Sequence, residues 1–135
     1  MRILLALVII LLPPVAVNAA ECGGNAWVET TLYMGRGQPD GGVVTDTQVQ
    51  AFVDDIIVPA FPDGFTVADA RGHWLDRATG RGIGETTVML IVAHPPGAGS
   101  DAALQRVADA YIARFNQSAV LRSSHPVCVT FYEKK

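Results

Sequence analysis

Two helices packed on one face of a four-stranded antiparallel sheet are predicted by three features of this 135-residue chain. Its two halves share one pattern, in which a strand, a Gly/Pro-rich loop, an amphipathic helix, a turn and a second strand follow one another. The loops "MGRGQPDGG" and "HPPGAGS" stand at equivalent places before the two helices. Apolar residues alternate in the strand segments and recur at helical spacing between them. The order βαββαβ predicts an α+β fold, a ferredoxin-like sandwich with the first and third strands in the centre of the sheet.

The residues before this pattern are typical of a secretory signal peptide. Arg2 precedes an apolar run over Ile3–Leu12, and the small-residue segment "VAVNAA" follows it. The run is too short to cross a bilayer, which takes ~20 residues. Removal of residues 1–19 would leave a single α+β domain over residues 20–135. We expect that domain in the periplasm or secreted, without a stable membrane anchor.

The chain has two cysteines, Cys22 and Cys128, near opposite ends of the mature domain. Export would place them where disulfides persist, so a disulfide between them is the favoured prediction. One alternative is a buried Cys128 with a free thiol on Cys22. A lipid anchor on Cys22 is another, which Glu21 directly before it disfavours. A catalytic thiol is the weakest alternative, because no histidine can be placed beside either cysteine.

Charge and motif content argue against several classes of function. The formal net charge is −3 and there is no run of basic residues, so nucleic acid is not an expected partner. The sequence has neither a GxGxxG loop after a strand nor a GxSxG elbow. The histidines and cysteines show no spacing typical of a metal site, and no cofactor is predicted. His94 and His125 each precede a proline and are interpreted as loop residues.

The first half begins with a strand over Trp27–Met34, in which apolar residues alternate with aromatic and polar ones. A helix begins at Thr45, which forms a capping box with Gln48. Two prolines, the first of them Pro59, end that helix. The next strand covers residues 65–75 and is expected to be weakened or bulged at Gly72.

The second half repeats the order. The glycine-rich segment "DRATGRGIGE", residues 76–85, is expected to be the loop of a long hairpin, and "TTVMLIVAH" forms the most apolar strand. The second helix is predicted to begin at Ser100 and to end at Asn116. In the last strand His125 and Pro126 indicate a bend or an edge position.

One face of the predicted sheet is left uncovered by the helices. Large continuous apolar patches rarely stay in water, so something should cover this face. A second subunit, the long hairpin or a ligand would each serve, and a homodimer is the default expectation. The predicted apolar and aromatic residues of this face are Trp27, Tyr33, Met89 and Ile91.

Glu29 is the candidate catalytic residue, because alternation places it between Trp27 and Thr31 on this uncovered face. A carboxyl group among aromatic side chains can serve as a general acid or base. The alternative is that Glu29 pairs with an arginine, such as Arg71 or Arg122, and only fixes packing.

The candidate binding residues are mostly basic. Arg36 lies between glycines whose amides can approach an anion, although a structural turn with Asp40 capping local amides is the favoured alternative. On the second strand Asp69, Arg71 and His73 share one side, either as a small polar site or as protection of a sheet edge. The full set of candidate binding residues is Tyr33, Arg36, Arg71, His73 and Arg122.

Three long phrases of the sequence carry a family resemblance. They are "ETTLYMGRGQPDGG", "FPDGFTVADARGHW" and "LRSSHPVCVTF". Together they resemble bacterial exported proteins of the domain-of-unknown-function family 3574, over about Cys22 to Phe131. The resemblance implies an exported bacterial domain and is compatible with the predicted fold, but it implies no activity and no catalytic residues.

These observations leave three classes of function. The first is a small exported binding or interaction module that self-associates through the uncovered sheet face. The alternative is a small enzyme acting on an anionic small molecule, with Glu29 as acid or base and Arg36 or Arg71 holding the substrate. A structural component of the cell envelope is the third, and no ligand is identified for any of them.

Overall fold

The computed structural model describes residues 22–134, which form four strands and two helices. The strands are β1 Asn25–Gly35, β2 Thr66–Asp76, β3 Arg81–His94 and β4 Leu121–Val129. Helix α1 begins with Asp46–Phe52, continues through a π-helical turn, Val53–Ile57, and ends with Val58–Ala60. Helix α2 is Ala98–Phe115. The predicted signal peptide, residues 1–19, lies outside the described residues.

The four strands form one antiparallel sheet in the order β2-β3-β1-β4. This order confirms the predicted fold and places β1 and β3 in the centre. The pairs Val28↔His94 and Gly35↔Thr87 mark the two ends of the ladder between the central strands. β4 is an edge strand, which is where Pro126, lacking an N–H, costs the ladder least.

Local capping chemistry explains where the helices begin and end. The Thr45 hydroxyl accepts the backbone N–H of Gln48 at 3.3 Å, and the Gln48 side chain accepts that of Thr45 at 2.9 Å, the predicted capping box. Asn116 ends α2 in the left-handed conformation, with φ 51°. Helix α2 begins at Ala98 rather than at the predicted Ser100. The Ser100 hydroxyl instead donates to the carbonyl of Pro95 at 3.0 Å.

The hydrophobic core lies between the sheet and the two helices. At its centre the ring of Phe52 packs edge-on against Tyr111, with 5.2 Å between ring centroids, and against Phe115 at 5.8 Å. Both helices therefore pack on the same face of the sheet. The largest apolar side chains with almost no exposure are Leu32, Met34, Val44, Phe52, Ile57, Val88, Leu90, Val92, Leu104, Val107 and Tyr111.

Strands β2 and β3 form a longer hairpin than the sequence predicts. The expectation that residues 76–85 form a loop is wrong for most of them, because β3 begins at Arg81. Strand pairing continues through Gly72 to the last pair, Asp76↔Arg81, so Gly72 forms no bulge. A glycine is needed there because a Cβ would lie 2.7 Å from the Oγ1 of Thr87. The end of the hairpin, residues 73–84, extends beyond the end of β1, and we call it the arm.

Cys22 and Cys128 form the predicted disulfide, with their Cα atoms 5.5 Å apart. The bond ties the segment before β1 to the edge strand β4. It leaves neither sulfur free for catalysis, and the Cys22 sulfur is not available to a lipid. Within residues 22–134, the structure has no helix that is long and apolar enough to cross a membrane.

Candidate functional site

The sheet face that the helices leave uncovered is the candidate functional surface, and we call it the open face. The register assigns to it the odd-numbered residues of β1, β3 and β4 and the even-numbered residues of β2. Tyr33 lies there between its partners Met89 and Leu121, and Leu121 is 65% exposed. The larger apolar and aromatic side chains of this face are Trp27, Tyr33, Trp74, Ile83, Met89, Ile91, Leu121, Val127 and Val129.

The segment after β4 shields one end of the open face. The ring of Phe131 meets the ring of Trp27 edge-on, with 5.7 Å between centroids. Phe131 itself stays 62% exposed. The two rings form a large rigid apolar surface, and part of that surface remains exposed to solvent.

The candidate acid or base, Glu29, lies on the open face and pairs with a histidine rather than with an arginine. Its Oε1 is 3.5 Å from the Nε2 of His125, its neighbour on β4. The two side chains are 37% and 59% exposed, so solvent reaches both. Arg71 and Arg122, which the sequence offered as partners, lie on the opposite side of the sheet. The interpretation of His125 as a loop residue is wrong, because it lies within β4.

Arg36 has a structural role in the turn after β1. Its Nε donates to the carbonyl of Val44 at 2.7 Å, and its Nη2 donates to Asp46 at 2.6 Å. The Asp40 carboxylate accepts the backbone N–H of Gly42 at 3.0 Å. These bonds are those of a structural turn, the favoured interpretation of this segment.

The glycines beside Arg36 do receive a carboxylate, but it belongs to the chain itself. The Gly37 amide donates to the Oε2 of Glu85 at 3.0 Å. A Cβ on Gly35 would lie 2.7 Å from the same oxygen, so a side chain there would displace the carboxylate. A structural turn was the favoured prediction for this loop, and the carboxylate that its glycines receive comes from β3 of the same chain.

Tyr111 holds Gly35 from the helix side. Its hydroxyl donates to the Gly35 carbonyl at 3.0 Å, and its side chain is 1% exposed. Burial raises the pKa of the phenol from 10.0 to about 12. The neutral form is therefore the one that the folded domain holds.

We expect Tyr111→Phe to lower the free energy of unfolding by about 1 kcal/mol at pH 7, because the bond to Gly35 is lost. Above about pH 11 the order should reverse. The unfolded tyrosine ionises near pH 10.0 and the folded one near 12, so the wild type loses up to about 2.7 kcal/mol across that range. The variant lacks this titration. Denaturant unfolding from pH 7 to 12 should give curves that cross, and parallel curves would contradict the burial of the phenol.

Arg122 belongs to a chain of polar contacts on the helix side of the sheet. Its Nη2 donates to Asp101 on α2 at 2.5 Å, and its Nε donates to the hydroxyl of Ser124 at 3.2 Å. The Ser124 and Thr30 hydroxyls are 2.8 Å apart, and Thr30 is 3.0 Å from the Nε2 of His94. Arg122 is thus engaged within the domain.

His94 ends this chain and is a buried residue that the sequence interpretation missed. It is 6% exposed and is the last residue of β3, as in the predicted strand "TTVMLIVAH", so its interpretation as a loop residue is wrong. Its Nδ1 donates to the carbonyl of Pro95 at 2.9 Å, which leaves Nε2 to accept from Thr30 in the neutral ring. Alternation with Leu90 and Val92 is the signal that could have placed it inside, because it continues their side of the strand.

The remaining candidates, Arg71 and His73, lie on exposed positions of β2, on the side of the sheet that also carries Asp69. The Oδ1 of Asp69 is 3.7 Å from the Nη1 of Arg36, so Asp69 pairs with the turn after β1 rather than with Arg71 and His73. The structure does not bring the predicted residues together. They occupy three places: Glu29 and Tyr33 on the open face, Arg36 and Arg122 on the helix side, and Arg71 and His73 along β2.

Two grooves in the described part of the chain lie away from these residues. One of about 500 Å³ runs between α1 and α2, with Ile56, Pro59 and Val107 in its wall. The other, about 220 Å³, lies near the end of β3 and is lined in part by Phe61 and His94. Among residues 22–134, no three His, Cys, Asp or Glu side chains are placed to hold a metal ion together.

Comparison with known proteins gives one family and one fold. The family model described as "Protein of unknown function (DUF3574)" matches residues 29–131. A comparison with curated proteins finds no match. Among solved structures the chain is similar to a phage SAM lyase in complex with S-methyl-5'-thioadenosine, with 15% identity and a TM-score of 0.57 over 82% of this chain and 95% of that one. The apo form of a phage SAM lyase gives 15% identity and a TM-score of 0.53, over 80% and 94%.

Proposed function

We propose that this chain, which belongs to the family described as Protein of unknown function (DUF3574), is a small interaction module. It self-associates through the open face of its sheet. The observation that supports this most is the composition of that face. Tyr33 and Met89 lie side by side near its centre, and the chain has no lysine before residue 134. Two of the carboxylates on this face have partners within the chain. Glu29 forms an ion pair with His125, and Glu85 accepts a hydrogen bond from the Gly37 amide. Enrichment in aromatic residues and methionine, with no lysine, is typical of an interface.

A second copy of the chain is the partner that fits this surface best. Two antiparallel sheets stack face to face about 10 Å apart, with their apolar side chains interdigitated. Two-fold dimers are the commonest soluble assemblies, and they need only one self-complementary surface. The open face offers apolar groups along its whole length, from Trp27 at one end to Trp74 on the arm.

We expect the mature protein to be dimeric in sedimentation and light scattering, with a concentration-dependent mass. Leu121→Glu should raise the dimer dissociation constant about tenfold or more, because it places a carboxylate in an apolar contact. Leu121 is 65% exposed, so the change should leave the monomer folded.

The matched control is Tyr132→Glu, in the segment after β4, where the side chain is 97% exposed. It introduces the same charge outside the sheet and should leave the dissociation constant unchanged. A wild-type protein that stays monomeric at every concentration would overturn the proposal, as would equal weakening by both variants.

A small enzyme is the second proposal, and the Glu29–His125 pair is what favours it. A carboxylate beside a solvent-exposed imidazole can exchange protons with a ligand on the open face. The likeness to the lyase is one of fold and does not assign its substrate to this chain. Its ligand, S-methyl-5'-thioadenosine, is nevertheless a rational first probe. Calorimetric binding that Glu29→Gln abolishes would favour the enzyme, and absence of binding would count against this ligand.

We further propose that the domain is bacterial and works in the periplasm or outside the cell, after removal of residues 1–19. The disulfide supports export, because such bonds persist in oxidising compartments. Mass determination of the protein recovered from periplasm and medium should give a chain that begins at Ala20. Recovery of the intact chain from the cytoplasm would overturn export.

A further inference from the structure

The arm is a two-stranded ribbon that carries exposed apolar side chains. Its ladder continues to the pair Asp76↔Arg81, beyond the end of β1. Trp74 is 52% exposed and lies on the open-face side, and Leu75 on the other side is 60% exposed. A two-stranded ribbon alone is marginally stable in water and gains from packing against another layer. We therefore expect the arm to pack against another apolar surface.

We propose that a second copy of this chain lies on the open face with its strands antiparallel to those beneath it, so that Arg81 of each arm contacts Glu29 of the other copy. This inference rests on the self-association proposed above and specifies its geometry. It makes the cluster around Glu29 a shared site, to which each copy contributes a residue.

The length of β3 locates the symmetry axis. The open-face residues of β3 run from Arg81 to Ala93, and Thr87 is the middle one. An axis that crosses the strands over Thr87 reverses positions along β3, so Arg81 of one copy lies over Ala93 of the other. Ala93 is the cross-strand partner of Glu29. Stacked sheets lie about 10 Å apart, and neighbouring strands within a sheet lie about 4.8 Å apart. Arg81 on one sheet and Glu29 on the facing sheet, offset by one strand, are therefore close enough for their long side chains to meet.

Charge and apolar contact both select this axis over one that runs along the strands. An axis along the strands would place Arg81 over Arg81 of the second copy, so that like charges oppose each other in a partly desolvated contact. The crossing axis places Ile83 of the arm over Ile91 of the second copy. It also lays each arm on the body of the partner sheet, instead of arm on arm.

Neither Arg81 nor Glu29 forms an ion pair with a permanently charged partner among residues 22–134. Arg81 forms none of the ion pairs found among residues 22–134. Glu29 forms one ion pair among these residues, with His125, and the charge of a histidine varies with pH. Arg81 of the second copy would supply a cation that stays charged at every physiological pH and whose planar fork matches a carboxylate.

Charge exchange tests the geometry. Arg81→Glu and Glu29→Arg should each raise the dimer dissociation constant about tenfold or more, measured by sedimentation of the mature protein. The double variant Arg81→Glu/Glu29→Arg restores the pair with its charges exchanged, and it should return the constant to within about threefold of the wild type. Circular dichroism and thermal unfolding of each variant establish that the monomer is folded.

Arg106→Glu, on α2 and away from the open face, is the matched control, because it changes the net charge by the same amount. It should leave the dissociation constant unchanged. A dimer that Leu121→Glu weakens but both charge variants leave intact would overturn this geometry and keep the proposed function. Weakening by the single variants without recovery in the double variant would also overturn it. A monomeric wild type would overturn both.

Discussion

Loss of the Cys22–Cys128 disulfide is expected to lower the free energy of unfolding by about 4–5 kcal/mol, the largest single effect that we predict. The two cysteines are 106 residues apart in the sequence. In the chain-entropy model, a cross-link that closes a loop of this length removes most of the freedom of the unfolded chain. Because a domain of this size is stable by about 5–15 kcal/mol, this is a large share of the total.

Denaturant unfolding of the double variant Cys22→Ser/Cys128→Ser measures this loss. The wild type with a reductant should match the double variant, and the reductant should have no effect on the double variant itself. A difference below about 1 kcal/mol would show that the unfolded chain is not much constrained by the bond. If the predicted loss is found, production in a reducing compartment should give a much less stable protein.

Phe52→Ala is expected to lower the free energy of unfolding by about 3–5 kcal/mol, because it opens a cavity at the point where both helices meet the sheet. The Phe52 ring is 1% exposed and contacts Tyr111 and Phe115. The Arg114 guanidinium also lies over it, 5.4 Å from the ring centroid. Removal of the ring takes one aromatic contact from Tyr111 and from Phe115, which still contact each other at 4.8 Å, and it removes the ring beneath Arg114.

Val58→Ala is the matched control for Phe52→Ala, since it truncates an apolar side chain near the end of the same helix at a position that is 46% exposed. It should change the free energy of unfolding by less than about 0.5 kcal/mol. Equal losses from the two variants in denaturant unfolding would contradict the packing role of Phe52, because helix propensity favours alanine at both positions and cannot account for a loss.

The sequence alone predicted the features that depend on neighbouring residues. Alternation along Trp27–Met34 separated the two faces of β1, and the Thr45 capping box and Asn116 located two helix ends. These signals are local, because a strand has a period of two and a cap needs only a few residues around it. The repeated order of elements then predicted the topology, since short connections leave few ways to arrange four strands and two helices.

The same local signals could not say which distant groups meet. Glu29 was correctly placed on the open face. Its neighbour His125 could not be predicted, because the register between β1 and β4 pairs residues that are far apart in the sequence. Likewise, an anion at the glycines beside Arg36 was the less favoured interpretation of that loop, and only the pairing of β1 with β3 brings the Glu85 carboxylate to it. The burial of His94 depends on Thr30 and Ser124, which come from two other strands.

The sequence therefore determined the order of the elements, the side of the sheet on which the residues of β1 and of the central part of β3 lie, and the cysteine pair to be joined. Tertiary structure decided the partners of the charged and polar side chains, and with them the division of the predicted site residues among three places. It also decided the length of the β2–β3 hairpin, where glycines and arginines had indicated a loop. The reason is that periodicity and capping act within a few residues, whereas hydrogen bonds, ion pairs and strand pairing join residues that only the folded chain brings within reach.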